Sequence, residues 1–312
     1  MRLQAPGSSE APDKPVPDLA GAWGLVPDEY PPYPMAASSR PISLLTDYGL
    51  TDEFVGVVHA VIRRIDPGAN VIDVTHGVER GNVRAGALAL LRAVQYLPPG
   101  VCLAVVDPGV GTDRRGIAAE TTWGHFVGPD NGLLAPAVAM VGGATRVVSL
   151  DNEEFRLPRG GVTFDGRDVF APAAAVLASG EAKLDDLGAD VDPDSLTPLL
   201  LPLVEHGDGV VDGEVLWIDG FGNAQTNIGP DDLALIGARP GDTLSARIGG
   251  QRLELPWGEA YGSEGSRIVH VDSYGLMAFA VAGGRADEVL GLSEGLSVGL
   301  GAPGGAQFSE TS

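Results

Sequence analysis

From Pro41 onward the chain alternates short apolar runs with stripes of apolar residues at helical spacing, an order that few fold classes accommodate. ISLLT (42–46) is followed by Phe54, Val55, Val58, Val61, Ile62 and Ile65, spaced for one helix face and stopped by Pro67-Gly68. NVIDVT (70–75) leads to a second stripe, Val83, Ala87, Leu90, Leu91, Val94 and Leu97, which Pro98-Pro99-Gly100 ends. VCLAVVD (101–107) is continuously apolar, as befits a strand covered on both faces. Strand, helix, strand, helix, strand predicts an α/β fold with a mainly parallel sheet. DVFAPAAAVLASG (168–180) adds a further helix.

The Pro- and Asp-rich stretch DLGADVDPDSLTPLLLPLVEHGDG reads as a linker. Beyond it, EVLWID, TLSARIG, QRLELP, RIVHVD and LMAFAV alternate with Gly or Pro turns, which predicts a small antiparallel β domain. The expected division is an α/β domain over 41–205 and a β domain over 206–302. Residues 1–40 hold eight prolines and no sustained periodicity, so a largely disordered leader is expected there, and a frayed tail over 303–312.

Composition removes several function classes. Against 42 Asp plus Glu stand 20 Lys plus Arg, a formal charge of −22, and nonspecific nucleic-acid binding needs the opposite sign. No run approaches the ~20 apolar residues of a membrane-spanning helix, and the first residues lack an apolar signal core, so a cytoplasmic protein is expected. The single Cys102 lies inside an apolar run and reads as a buried small hydrophobe rather than a nucleophile.

Three predicted strands end in polar residues: Thr46-Asp47, Asp73-Val74-Thr75 and Asp107. Ligands of open α/β sheets bind beyond such carboxyl ends. In TDYGLTDEF, Asp52 suits an N-cap or a first-turn acid, and Asp47, Asp52 and Glu53 together suit a divalent metal. Asp47 alone also suits acceptance of hydrogen bonds from a ribose diol. These residues by themselves leave all three readings open.

Seven ordered segments widen the pattern: TDYGLTDEFVGVVHAVI, VIDVTHGVERGNVRAGALAL, VVDPGVGTDRRGIA, GHFVGPDNGLL, TFDGRDVFAPAAA, IDGFGNAQTNI and VDSYGLMAFAV. In order and spacing the chain resembles the S-adenosyl-L-methionine (SAM) hydroxide adenosyltransferase family, to which fluorinase and chlorinase are related. The resemblance covers roughly residues 41–300. It implies an N-terminal α/β domain, a C-terminal β-barrel-like domain and a homotrimer or dimer of trimers with ligand between subunits. It implies no cofactor and no metal.

The resemblance also implies roles for individual residues. Asp47 corresponds to the ribose-diol acid, and Asp52, Asp219 and Ser273 to groups holding the amino and carboxylate ends of methionine. Asn223 corresponds to the residue that hydrogen-bonds the adenine edge, with Phe221 beside it and Tyr261 packing on the ring. The GFGN segment also suits a tight turn, and both readings hold together. Water-using members carry an Asp, Arg, His set, to which Asp73, Arg80 and His125 are matched, Arg80 lying seven residues after Asp73. The alternative for the first two is an ion pair bracing a strand-to-helix turn, and for His125 an ordinary strand histidine. His76 reads as a turn histidine; His59, His206 and His270 receive no role.

Where fluorinase has a Tyr and a Ser at its halide site, this chain has Asp107 and Gly166. Hydroxyl donors for a halide are thus expected to be missing, and the implied reaction is attack of water on ribose C5′, giving adenosine and L-methionine. Departures from the family pattern are Tyr274 for an Arg, Asp165 for the usual His of the TFHGRD-like segment, and Ala282 for an Asn. Competing expectations are a halide-using adenosyltransferase, a metal-dependent nucleoside hydrolase using Asp47, Asp52 and Asp73, and a non-catalytic adenosine- or SAM-binding protein.

Overall fold

The computed structural model describes residues 39–158, 161–207, 209–259 and 262–303. The expected leader, the tail and Tyr261 therefore lie outside the described residues, save for Ser39, Arg40 and Pro303.

Ile42–Thr46 (β1), Val71–Thr75 (β2) and Val101–Val105 (β3) form the predicted parallel core, joined by helices Phe54–Ile65 (α1) and Val83–Val94 (α2). β1 lies in the middle, with Ile42 opposite both Val71 and Val101. Every residue of β1 and β3 is buried, because each face of the sheet is covered. Leu44, Leu103 and Val105 pack with Val58 and Ile62 of α1 and with the alanine-rich helix Ala171–Ser179 (α4). Leu45, Cys102 and Ala104, pointing the other way, pack with Leu90 and Val94 of α2. That alternation is the two-residue period of a strand read on both sides.

The sheet continues through Gly116–Glu120 (β4), His125–Pro129 (β5), Arg146–Ser149 (β6) and Asp190–Val191 (β7), in the order β2-β1-β3-β5-β4-β6-β7. β5 runs parallel to β3, whereas β4, β6 and β7 pair antiparallel. The β4–β5 hairpin and the edge strand β7, which lies within the stretch read as linker, are additions to the predicted order. The short helix Ala135–Met140 (α3) packs beside α2.

The second sheet comprises Glu205–Gly207 (β8), Val210–Ile218 (β9), Ala224–Thr226 (β10), Thr243–Ile248 (β11), Gln251–Pro256 (β12), Arg267–Val271 (β13), Met277–Val281 (β14) and Ser297–Gly301 (β15). Its order is β12-β11-β15-β9-β10-β14-β13, with β8 on β9, and all its ladders are antiparallel. A bridge between Trp257 and Val269 draws the two edges together, which makes the sheet barrel-like. Helices Pro230–Leu235 (α5) and Ala286–Leu290 (α6) pack against it.

The two sheets meet along α2. Leu88 and Leu91 pack with Leu216 and Leu276, Arg84 Nη2 lies 2.6 Å from Glu214 Oε1, and the buried Arg92 guanidinium stacks 3.9 Å from the Trp217 ring. The carboxyl ends of β1, β2 and β3 consequently share one edge of the first sheet. Asp47, His76 and Asp107 stand just beyond it.

Candidate active site

Asp47 follows directly on β1, and its Oδ2 accepts a hydrogen bond from the Gly81 amide at 2.8 Å. Gly81 takes φ +75°, a conformation other side chains resist, so the loop after β2 is shaped to bring that amide in. A cavity of about 150 Å³ opens here, lined by Asp47, Tyr48, Phe54, Asp107, Phe164, Asp165 and Gly166.

Arg114 supplies its counter-charge. Its Nε lies 2.9 Å from each Asp107 carboxylate oxygen, its Nη2 also donates to Asp107, and the same Nη2 reaches Asp165 Oδ2 at 2.6 Å. The turn Asp107–Thr112 makes this possible: the amides of Val110 and Thr112 bond to the carbonyls of Asp107 and Gly109, folding the chain back on itself. All three side chains are largely buried, at 13% exposure for Arg114, 6% for Asp107 and 10% for Asp165. Burial works against the Arg114 charge, but the hydrogen bonds it donates to Asp107 and Asp165 and their electrostatic attraction outweigh it, and its pKa is raised.

Tyr48 packs edge-on against Phe164, 5.7 Å between ring centres, and its hydroxyl reaches Gly166. A Cβ on residue 166 would overlap that hydroxyl, so Gly166 is a requirement of the Tyr48 ring. The expected absence of hydroxyl donors is thereby corrected: Tyr48 brings one to the place a residue 166 side chain would occupy. Burial first, then the charges of Asp47, Asp107 and Asp165, raise the Tyr48 pKa, which keeps the phenol protonated.

The residues matched to the water-using set do not come together. Asp73 Oδ1 lies 2.8 Å from His59 Nε2 and 3.1 Å from His76 Nε2. Arg80 points into solvent, 80% exposed, with Asp52 3.8 Å away, so a bracing pair with Asp73 is not formed either. His125 opens β5 and stands opposite Val101 at the start of β3, whereas Asp107 lies beyond the end of β3. Parallel pairing therefore puts His125 at the far end of the sheet, 3.3 Å from Arg40 Nη1, where burial and then the Arg40 charge lower its pKa. Asp52 is not the N-cap of α1; Glu53 is, without a side-chain cap bond.

The C-terminal candidates do assemble. Asp219, Phe221, Asn223 and Ser273 border a cleft of about 540 Å³ together with Trp217 and Tyr274. Asp219 Oδ1 accepts from the amides of Phe221 and Asn223 at 2.9 Å each, and Asp219 Oδ2 accepts from Asn223 Nδ2 at 2.9 Å. The tight-turn reading of GFGN holds, and the turn presents Phe221 to solvent at 81% exposure. Asp272 orders the neighbouring loop by accepting from the amides of Tyr274 and Leu276, at 2.9 and 3.0 Å, which positions Ser273. Tyr261 lies outside the described residues.

Two family models match the chain: the SAM hydroxide adenosyltransferase N-terminal domain over residues 42–188, and the SAM hydroxide adenosyltransferase C-terminal domain over residues 213–299. This chain belongs to the SAM hydroxide adenosyltransferase family. An (R)-S-adenosyl-L-methionine hydrolase of Salinispora tropica is 47% identical over 255 residues, which cover 81% of this chain and 95% of that protein. A fluorinase of Actinopolyspora mzabensis is 28% identical over 293 residues, covering 83% and 97%. The crystal structure of an uncharacterized conserved protein from Thermotoga maritima matches with a TM-score of 0.78 at 37% identity, covering 83% of this chain and 99% of that one.

In this chain the seven-residue Asp-to-Arg interval of Asp73–Arg80 recurs at Asp107–Arg114. Only the second pair is bonded. Sequence reasoning passed over Arg114, although the intervening Pro108, Gly109 and Gly111 signal a turn able to return the arginine to the aspartate. The Asp130-Asn131-Gly132 turn supports the same edge: Asn131 Nδ2 donates to the Val106 carbonyl at 2.9 Å, beside Asp107.

Proposed function

We propose that this chain hydrolyses S-adenosyl-L-methionine to adenosine and L-methionine through attack of water on ribose C5′. The observation that carries the reading is the buried Asp107–Arg114–Asp165 cluster sharing one cavity with Asp47. Asp47 accepts from the ribose hydroxyls, which sets C5′ against the cluster. Water bonds through oxygen to C5′ as the C5′–S bond breaks; the bonding pair stays on sulfur, so methionine leaves as a neutral thioether. The water proton passes to the carboxylate pair, Arg114 steadies the developing hydroxide, and the Tyr48 hydroxyl orients it. Asp165 thus stands where the family usually has a His. This set replaces Asp73, Arg80 and His125 as the nucleophile-activating group, because the latter three are not neighbours.

Asp219, Asn223, Phe221 and Ser273 recognise the adenine and methionine portions, with Asp52 and Tyr261 as further contacts. They border a different cleft from Asp47. A homotrimer or dimer of trimers, in which one subunit's N-terminal cavity faces the next subunit's C-terminal cleft, completes the site. A cytoplasmic location suits a chain whose one cysteine is buried and unpaired. Halide use is disfavoured by charge rather than by missing hydroxyls, since the carboxylates Asp47, Asp107 and Asp165 all line the cavity.

The test is incubation of purified protein with S-adenosylmethionine in ¹⁸O-water, with and without EDTA or chloride, followed by mass spectrometry. Labelled adenosine plus methionine, formed in EDTA as well, is expected. A chlorinated nucleoside, dependence on added metal, or unchanged substrate each overturns the reading.

A further inference from the structure

Three ligand-type atoms meet outside the Asp47 cavity, on the outer edge of the first sheet. His59 lies on α1, Asp73 on β2, and His76 just after β2. His59 Nε2 and His76 Nε2 stand 2.8 and 3.1 Å from the same oxygen, Asp73 Oδ1, and the three ligand atoms all fall within 4.8 Å of one another. We propose that His59, Asp73 and His76 form a binding site for a divalent transition metal of the zinc or cobalt type, which pins α1 to the end of β2.

The His76 ring carries the argument. Its side chain is only 4% exposed, and its Nδ1 is engaged by Thr46 Oγ1 at 2.8 Å, which fixes the ring with Nε2 turned toward Asp73 and His59. That buried Nε2 has no hydrogen-bond partner among the described residues, because Asp73 Oδ1 is close but not in bonding geometry. A buried imidazole nitrogen is rarely left so. A cation in the gap satisfies it, and the Thr46 contact is the kind of outer support that metal-bound histidines have.

Ligand chemistry selects the metal. Two imidazole nitrogens and one carboxylate oxygen suit borderline divalent ions, not calcium or magnesium, which take oxygen ligands. Metal–ligand bonds of about 2.0–2.1 Å put tetrahedral ligands about 3.3 Å apart, so the two His-to-Asp73 distances of 2.8 and 3.1 Å need to open by only a few tenths of an ångström. One carboxylate leaves the ion with a net positive charge in a strongly acidic protein. Asp73 is 46% exposed and His59 25%, so water reaches the remaining coordination position. The His76 carbonyl accepts from the Gly49 amide at 2.8 Å, linking the site to the loop after Asp47. The inference does not rest on the proposed hydrolysis.

Protein freed of metal with EDTA and returned to chelator-free buffer is titrated with ZnCl₂ by calorimetry and with CoCl₂ by visible absorption. One ion per chain with micromolar or tighter affinity, cobalt d–d bands, and a zinc-dependent rise in Tm are expected. His59→Ala, a change on the partly exposed side of α1, should weaken binding at least about tenfold and abolish the Tm shift, and Asp73→Asn should do the same. No stoichiometric binding at 100 μM metal overturns the proposal, as does binding that survives His59→Ala or is lost with His206→Gln instead.

Discussion

Arg114 folds back across a glycine-rich turn to grip both carboxylate oxygens of Asp107, its Nε 2.9 Å from each. The same guanidinium reaches Asp165, so one planar group holds two carboxylates that would otherwise repel each other in a buried cavity. A lysine has the charge without the fork. Arg114→Lys is therefore expected to lower kcat by roughly 10²-fold or more, the scale of losing a preorganised donor, while the KM for S-adenosylmethionine changes little. Steady-state assay of methionine release checks it. Retention of wild-type kcat removes the cluster from the mechanism, and Arg80→Ala, in contrast, should leave kcat within a few-fold.

Gly166 and Tyr48 are coupled by shape. A methyl group at residue 166 collides with the Tyr48 hydroxyl, so Gly166→Ala should cost about 1–3 kcal/mol of stability. In a Tyr48→Phe background the oxygen is gone and the cost should fall, giving a non-zero interaction energy in the double-mutant cycle. Chemical denaturation of the four proteins measures it. Strict additivity contradicts the packing described.

The parallel core was legible because each element keeps its own period for long enough: β1 and β3 as unbroken apolar runs, α1 and α2 as stripes at helical spacing. β7 was not, because two residues, Asp190 and Val191, carry no period and sit in an Asp-rich stretch. In the C-terminal domain Asp219, Phe221, Asn223 and Ser273 came from the family resemblance, and the turns that hold them bring all four to one cleft. The cluster proposed to activate the nucleophile was not legible. Spacing alone does not distinguish Asp73–Arg80 from Asp107–Arg114, and it does not reveal that His125 begins a strand instead of ending one. Only the direction of β5 beside β3 shows that.

Cys102 is fully buried in β3, and burial pushes its thiol up to about 12. Thiolate, the reactive form, is thus scarce and inaccessible. An aromatic disulfide reagent at pH 8 should label no thiol in the native protein over minutes and one per chain in guanidinium. Rapid native labelling shows that β3 opens far more readily than a central strand should.

His125 provides a pH test of the far end of the sheet. Its pKa is lowered in the folded protein, by burial first and by the Arg40 charge second, with Glu120 opposing. Above the ordinary histidine value of about 6.5 both folded and unfolded chains carry it neutral, so it contributes no pH dependence. As pH falls through that value the unfolded chain takes up a proton that the folded chain resists, and stability must drop. The slope from this one group is at most about 1.4 kcal/mol per pH unit. Urea denaturation between pH 7.5 and 5 should therefore show a steeper loss for the wild type than for His125→Gln, with the curves parallel above pH 7. A variant that loses stability as fast as the wild type means that His125 is protonated freely, and that its place between Arg40 and Glu120 is not as described.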